Sequence, residues 1–187
     1  MKRLWLGLVP VLIIALAVWY YWRLGERREQ SQDAVILEAA RRYEVNPALI
    51  KAVVWKESRF DPDARGGSGE IGLMQIRELA AREWADAEGL SGFRHEDLFD
   101  PGSNTLCGTW YLRKMLRRYA HTDNPVPYAL ADYNAGRKHV LRWNDGTGVT
   151  NSAVFFEQID FPGTRGYIRE TLDRYRQYHA KGVSPDN

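Results

Sequence analysis

Cysteine is nearly absent from this 187-residue chain. Cys107 is the single one, so no intramolecular disulfide can form whatever the compartment, and a structural zinc site built on several thiolates is excluded. Charge of one sign is also lacking. Lys and Arg number 26 against 24 Asp and Glu, a formal net charge of +2. The concentrated basic excess of a polynucleotide binder is missing, and the arginines are dispersed without an aromatic-basic stacking motif, so no nucleic-acid partner is expected. The four histidines, His95, His121, His139 and His179, stand apart with no His-Glu-x-x-His or comparable spacing, and neither metal nor cofactor is expected. No alternating β-branched run of strand length occurs, which limits any sheet to a minor hairpin. There is no internal repeat. Aromatics at 12% and charged residues at 27% exclude a disordered or low-complexity chain.

What is present begins with an uncharged run, Leu4 to Trp22, behind Lys2 and Arg3. Its 19 residues span about 28 Å as a helix, close to the hydrocarbon thickness of a bilayer. Trp19, Tyr20, Tyr21 and Trp22 crowd its far end, where amphipathic rings favour the interface. The run predicts a single-pass anchor in the cytoplasmic membrane, with a cytoplasmic N-terminus and everything after Arg23 on the periplasmic or extracytoplasmic side. Cleavage as a signal peptide at Ala15-Leu16-Ala17 is the alternative, and it would leave Val18 to Trp22 as an exposed apolar terminus. Lys2 and Arg3 account for the whole net charge: from Arg23 onward 24 basic residues meet 24 acidic ones.

Residues 1–30 therefore read as anchor and polar linker, 31–181 as one mainly α domain, and 182–187 as a frayed tail. Asp33 is the expected N-cap of a helix with Val35, Ile36, Ala39, Ala40 and Tyr43 on one face. Asn46-Pro47 opens a second helix in the cap-then-first-turn arrangement, running to Ser58. Further helices are expected over Leu73 to Ala87, Asn104 to Tyr119, Tyr128 to Asn134 and Thr164 to Ala180. In the second of these, Leu106, Trp110 and Leu116 should face inward and Arg113, Lys114, Arg117 and Arg118 outward.

Three segments could carry chemistry. Glu57 falls at the C-terminal end of the second helix, where apolar neighbours such as Val53, Val54 and Phe60 and the negative end of the helix dipole would both raise its pKa. A carboxyl that keeps its proton near neutral pH suits general-acid catalysis on a poor leaving group. Taken alone, Glu57 reads more readily as a surface acid paired with a nearby Lys or Arg. Next, Gly67, Gly69 and Gly72 match the letters of a dinucleotide loop, but a polar, proline-containing loop precedes them instead of a strand. They better describe a tight loop that delivers Met74 and Gln75 to a ligand, with Met74 as core filler the plain alternative. Last, Tyr133 and Asn134 lie at a helix end before the capping glycine Gly136. Cys107, inside a helix, reads as core.

Taken in order, Glu57-Ser58, Gly72-Leu73-Met74-Gln75 and Tyr133-Asn134-Ala135-Gly136 resemble the soluble lytic transglycosylase family, the goose-type branch of the lysozyme superfamily. Supporting matches are LFDPGSN at 98–104, Gly108, Tyr111-Leu112 and Trp143, with Asp61-Pro62 a looser one. The likeness runs from Val35 to Tyr175. It implies a lysozyme-like catalytic domain that cleaves the β-1,4 bond between N-acetylmuramic acid and N-acetylglucosamine in peptidoglycan and closes a 1,6-anhydro ring. Glu57 would be the acid and base, with Ser58 supporting it by a hydrogen bond. Met74 and Gln75 would line the sugar cleft, and Tyr133 and Asn134 would orient the N-acetyl group. Peptidoglycan strands are the implied partner, with other cell-wall proteins as further candidates.

Three positions depart from the family pattern. Glu70 stands beside the glycine loop where a small residue is usual, Asp132 replaces an alanine, and Gly163 removes an acid before Thr164-Arg165. Glu70 and Asp132 read as solvated surface acids. Either, as a second catalytic carboxylate, would restore ordinary hydrolysis by a lysozyme. A non-catalytic peptidoglycan-binding module of a cell-wall assembly is the alternative outside enzymes.

Overall fold

Three helices start where an acid or amide precedes a proline. Asn46-Pro47, Asp100-Pro101 and Asn124-Pro125 each place a side-chain acceptor at the cap and a residue without an N–H in the first turn. The caps are made: Asn46 accepts from the Ala48 amide at 2.9 Å, Asp100 from Ser103 at 2.8 Å and Asn124 from Val126 at 3.1 Å. The computed structural model describes residues 2–183, leaving aside the side chains of residues 2–10 and 22. Within it the helices are α1 (Lys2–Ser31), α2 (Asp33–Tyr43), α3 (Pro47–Ser58), α4 (Glu78–Glu88), α5 (Pro101–Arg118), α6 (Pro125–Ala135), α7 (Arg137–Trp143), α8 (Ser152–Gln158) and α9 (Pro162–Ala180). Short 3-10 turns occupy His95–Phe99 and Gly146–Val149. Among the described residues there is no strand, only isolated bridges joining Ile71 to Arg65 and to Ile76.

The central element is α3. Every residue from Pro47 to Val54 is buried, as its nearly continuous apolar composition demands of a helix with no solvent face. It packs mainly against α9, with α2 beside it; α2 packs on α5, and α5 on α6. The domain is thus a mainly helical bundle wrapped around the helix that carries Glu57.

Several expectations shift. Gln32, not Asp33, occupies the cap of α2, and the Asp33 carboxylate in the first turn meets Lys51 at 2.5 Å. The segment 23–31 is helical, continuing α1 to Ser31. The helix expected from Leu73 starts only at Glu78, because Ile71 and Ile76 pair and Gln75 takes a left-handed φ of 49°. The most deeply buried face of α5 runs through Thr105, Cys107, Gly108, Thr109, Leu112 and Met115; Leu106, Trp110 and Leu116 only flank it. The seven-residue helices α7 and α8, under two turns each, are too short to show a periodic pattern. The apolar run Leu4 to Trp22 falls within α1, and residues 4–10 and 22 of it lie outside the described side chains. Among the described residues no helix is long and apolar enough to cross a membrane. At the other end the Val183 amide still bonds the Tyr178 carbonyl at 3.2 Å, and residues 184–187 lie outside the description.

Candidate active site

The loop between α3 and α4 is organised by one buried amide. Asn104, on the first turns of α5, accepts from the Met74 N–H at 2.8 Å. It also donates to the carbonyls of Ile71 at 2.9 Å and Leu98 at 2.8 Å. These bonds satisfy backbone groups that the loop would otherwise leave unpaired in the interior. Gly72 crosses directly over this amide with φ at 76°. A Cβ there would strike the Asn104 side chain and come within 2.8 Å of the Leu98 carbonyl. Gly108 makes similar room for the Met74 side chain. The glycines and Asn104 thus stand where close approach of backbone and helix requires them.

That packing corrects two expected roles. Met74 is fully buried, so its side chain fills the core and does not line a cleft. Its backbone does the positioning, since the Met74 carbonyl accepts from the Tyr133 hydroxyl at 2.8 Å. Ser58 donates to the carbonyls of Leu73 at 2.8 Å and Val54 at 3.2 Å, and among the described residues it makes no hydrogen bond to Glu57. It fastens the loop to α3.

Glu57, Gln75, Tyr133 and Asn134 do come together, lining one cleft of about 510 Å³ with Glu70 and Tyr111. Its far wall is the start of α4, at Leu79, Ala80 and Glu83. Gln75 is held by its amide, which donates to the carbonyls of Gly72 at 3.0 Å and Ala64 at 3.2 Å. Asn134 is exposed, and its Oδ1 accepts from Thr164 at the start of α9 at 2.9 Å. Gly163 beside it faces open space, so the absent acid leaves no packing defect.

Glu57 is half-buried, and Tyr167 of α9 donates to its Oε1 at 2.6 Å. Burial raises its pKa from 4.5 to about 7, the Glu70 charge adding to the rise; the Tyr167 bond and the Lys56 charge oppose it without cancelling it. The carboxyl is therefore divided between acid and base forms near neutral pH. Tyr167 is itself buried, and burial together with the Glu57 charge pushes its phenol well above the ordinary value, so it stays a donor. Tyr167 lies within the helix expected over Thr164 to Ala180, but nothing in the sequence signals its partner. The position of Asn104 within LFDPGSN was the only signal for that residue.

The other acids are not free surface carboxylates. Burial would raise Glu70, but backbone N–H groups, including that of Ser68, and the Arg77 guanidinium at 2.6 Å outweigh it and hold Glu70 below its ordinary value. Asp132 is buried at 3% exposure, paired with Arg118 and accepting from the Tyr119 hydroxyl at 2.9 Å. It joins α5 to α6 and is not solvated, because α6 turns that side into the interior. Cys107 is buried, and burial pushes its thiol up, away from nucleophilic use. Among the described residues no three His, Cys, Asp or Glu side chains could jointly hold a metal ion.

Fold and cleft together define a helical, lysozyme-like domain built around one carboxyl poised between protonation states. The chain belongs to the transglycosylase SLT domain family, whose model matches residues 34–156. It is 30% identical over 139 residues to the soluble lytic murein transglycosylase of Escherichia coli K12, covering 72% of this chain and 21% of that protein. It is 36% identical over 123 residues to the membrane-bound lytic murein transglycosylase C of Klebsiella pneumoniae, covering 63% of this chain and 34% of that protein. The chain thus spans between a fifth and about a third of these relatives' length. Among solved structures, it superimposes on an inactive mutant of the lytic transglycosylase Slt from Pseudomonas aeruginosa with a TM-score of 0.71 and 28% identity, covering 79% of this chain and 24% of that one. The 70 kDa soluble lytic transglycosylase of Escherichia coli gives 0.71 at 26% identity, covering 81% and 25%.

Proposed function

We propose that the chain is a peptidoglycan lytic transglycosylase, cleaving the β-1,4 bond between N-acetylmuramic acid and N-acetylglucosamine. The observation that carries this reading is Glu57 at a pKa of about 7 in a cleft whose other carboxyls are each paired with a cation, Glu70 with Arg77, Glu83 with Lys114 and Asp132 with Arg118. One group must first give a proton and then take one, and a pKa near the working pH serves both steps. Protonated Glu57 delivers its proton to the glycosidic oxygen as the bond to the muramoyl anomeric carbon breaks. The carboxylate left behind removes the proton from the 6-hydroxyl of the same sugar, whose oxygen closes on the anomeric carbon as the anhydro ring. Tyr133 and Asn134 orient the N-acetyl group that assists at that carbon, a role supported by their lining the cleft with Glu57 and by their bonds to the Met74 carbonyl and the Thr164 hydroxyl.

Hydrolysis with a second acid is the weaker reading, because Glu70 is committed to Arg77 and Asp132 to Arg118. Mass spectrometry of a peptidoglycan digest separates the two: anhydro products lie one water below hydrolysed ones. A digest of hydrolysed ends only would overturn the transglycosylase reading. Sacculus binding with no soluble product would favour the binding module.

The N-terminal segment we read as a single-pass membrane anchor that holds the domain on the periplasmic or extracytoplasmic side. Its support is the exposure of Val11, Leu12, Ile13, Ile14, Leu16 and Val18, each between 55% and 64%. An isolated helix presenting such a surface to water on all sides loses about 25 cal/mol per Å² of apolar area, a loss that lipid removes. The Klebsiella relative named membrane-bound is compatible with it. Partition of the full chain with membranes after carbonate washing tests this; release into the wash would overturn it.

A further inference from the structure

On the side of α3 away from Glu57, two guanidiniums are laid on one indole. The Arg59 guanidinium carbon lies 3.4 Å from the Trp55 ring centroid and that of Arg174, from α9, lies 4.1 Å from it. The two charges can therefore be no farther apart than those two distances combined. Among the described residues neither Arg59 nor Arg174 has an ion pair or a side-chain hydrogen bond, and Glu170, the acid whose charge acts on Arg59, is taken by Lys56 at 2.7 Å. Burial, and then the Arg174 charge, lower Arg59 from the usual guanidinium value.

Structural roles account for only part of this stack. Arg59 caps the C-terminus of α3, where the helix dipole favours a cation. Cation–π contact stabilises each guanidinium separately. Neither effect calls for two like charges on one ring with their N–H groups unused. We propose that Arg59 and Arg174, held in place by Trp55, form a binding site for a phosphate group. Phosphate suits the pair better than carboxylate does. One carboxylate is matched by one guanidinium fork, whereas the several oxygens and larger charge of a phosphate engage two forks at once.

The placement indicates where the phosphate comes from. Arg174 continues over the Tyr178 ring at 5.9 Å, Lys51 lies 5.2 Å from the same ring, and Lys51 meets Glu29 in the last turns of α1 at 3.8 Å. The stack is thus contiguous with the point where α1 joins the domain. An anionic lipid headgroup is the phosphate nearest such a point, and this source rests on the anchor reading given above.

The test uses the full chain in detergent, titrated with inorganic phosphate while the arginine Nε–Hε resonances are followed by NMR. Two resonances should shift saturably, and each should vanish from the spectrum in one of Arg59→Gln and Arg174→Gln. Either substitution should weaken phosphate binding by roughly tenfold or more. Arg174→Gln should leave peptidoglycan digestion in phosphate-free buffer unchanged. No saturable shift, or an equal response to acetate, would overturn the site. In nanodiscs containing phosphatidylglycerol the same two resonances should shift without added phosphate. Response to inorganic phosphate but not to these discs would overturn the lipid source alone, and failure of the chain to enter discs would count against the anchor instead.

Discussion

Tyr167 donates its hydroxyl proton to Glu57 at 2.6 Å, joining two helices across 110 positions of sequence. This bond and burial pull the carboxyl in opposite directions, and burial prevails. The acid is consequently oriented without being fully ionised.

Glu57→Gln should abolish muropeptide release while the fold survives. Its effect on stability follows from the sign of the shift. A carboxyl raised from 4.5 to about 7 stabilises the fold fully below the lower value and loses that contribution as pH rises through the higher one. The Gln variant should therefore match the wild type near pH 4 and exceed it above about pH 7, by on the order of 3 kcal/mol. Urea unfolding at the two pH values checks this.

Tyr167→Phe removes a bond that favours the ionised form of Glu57. The alkaline limb of the kcat profile should move to higher pH, with kcat reduced roughly ten- to a hundredfold by loss of orientation. An unmoved limb would show that the hydroxyl does not tune the acid.

Glu70→Gln discriminates between the two glycan-cutting chemistries. With the Glu70 charge gone, Glu57 should titrate somewhat lower, moving the alkaline limb down. The products should remain anhydro-terminated by mass spectrometry, since Glu70 supplies no second catalytic group.

Asn104→Ala should destabilise the domain by about 3 kcal/mol, because buried backbone groups of Ile71, Met74 and Leu98 lose their partner. Gly72→Ala should be comparably damaging, its Cβ forced against the same amide at a left-handed φ. Thermal unfolding followed by circular dichroism reads both.

Lys51 is 5% exposed in its side chain and bridges the joint between α1 and α2 through Glu29 and Asp33. Asp33→Asn should cost roughly 1–3 kcal/mol by leaving that buried ammonium with only its more distant partner. Lys51→Met should cost less, because it removes the buried charge itself and leaves Asp33 able to reach solvent. Denaturant midpoints of the two variants give the order.

What could be read in the chain was local. Asn46-Pro47 opens its helix as expected because a cap and a first turn concern adjacent residues. Glu57 sits at the end of that helix for the same reason, and Asn134 and Gln75 line one cleft with it. α4 starts later than Leu73 because the apolar Leu73 and Met74 mimic a helical face while a bridge between Ile71 and Ile76 holds the segment in a loop. Composition likewise made Asp132 look like a surface acid, and only the packing of α5 on α6 shows it buried against Arg118.

Local patterns along the chain suffice for a mainly helical domain, the place of one candidate acid, and an apolar segment ahead of it. Tertiary structure decided what each side chain does. Met74 went to the core and gave its carbonyl to Tyr133; Ser58 went to Leu73; Tyr167 came to Glu57. The reason is range. Caps and periodicity act within a turn or two of chain, whereas desolvation and hydrogen-bond partnership depend on whatever the fold brings near, and for Glu57 that partner lies on the last helix.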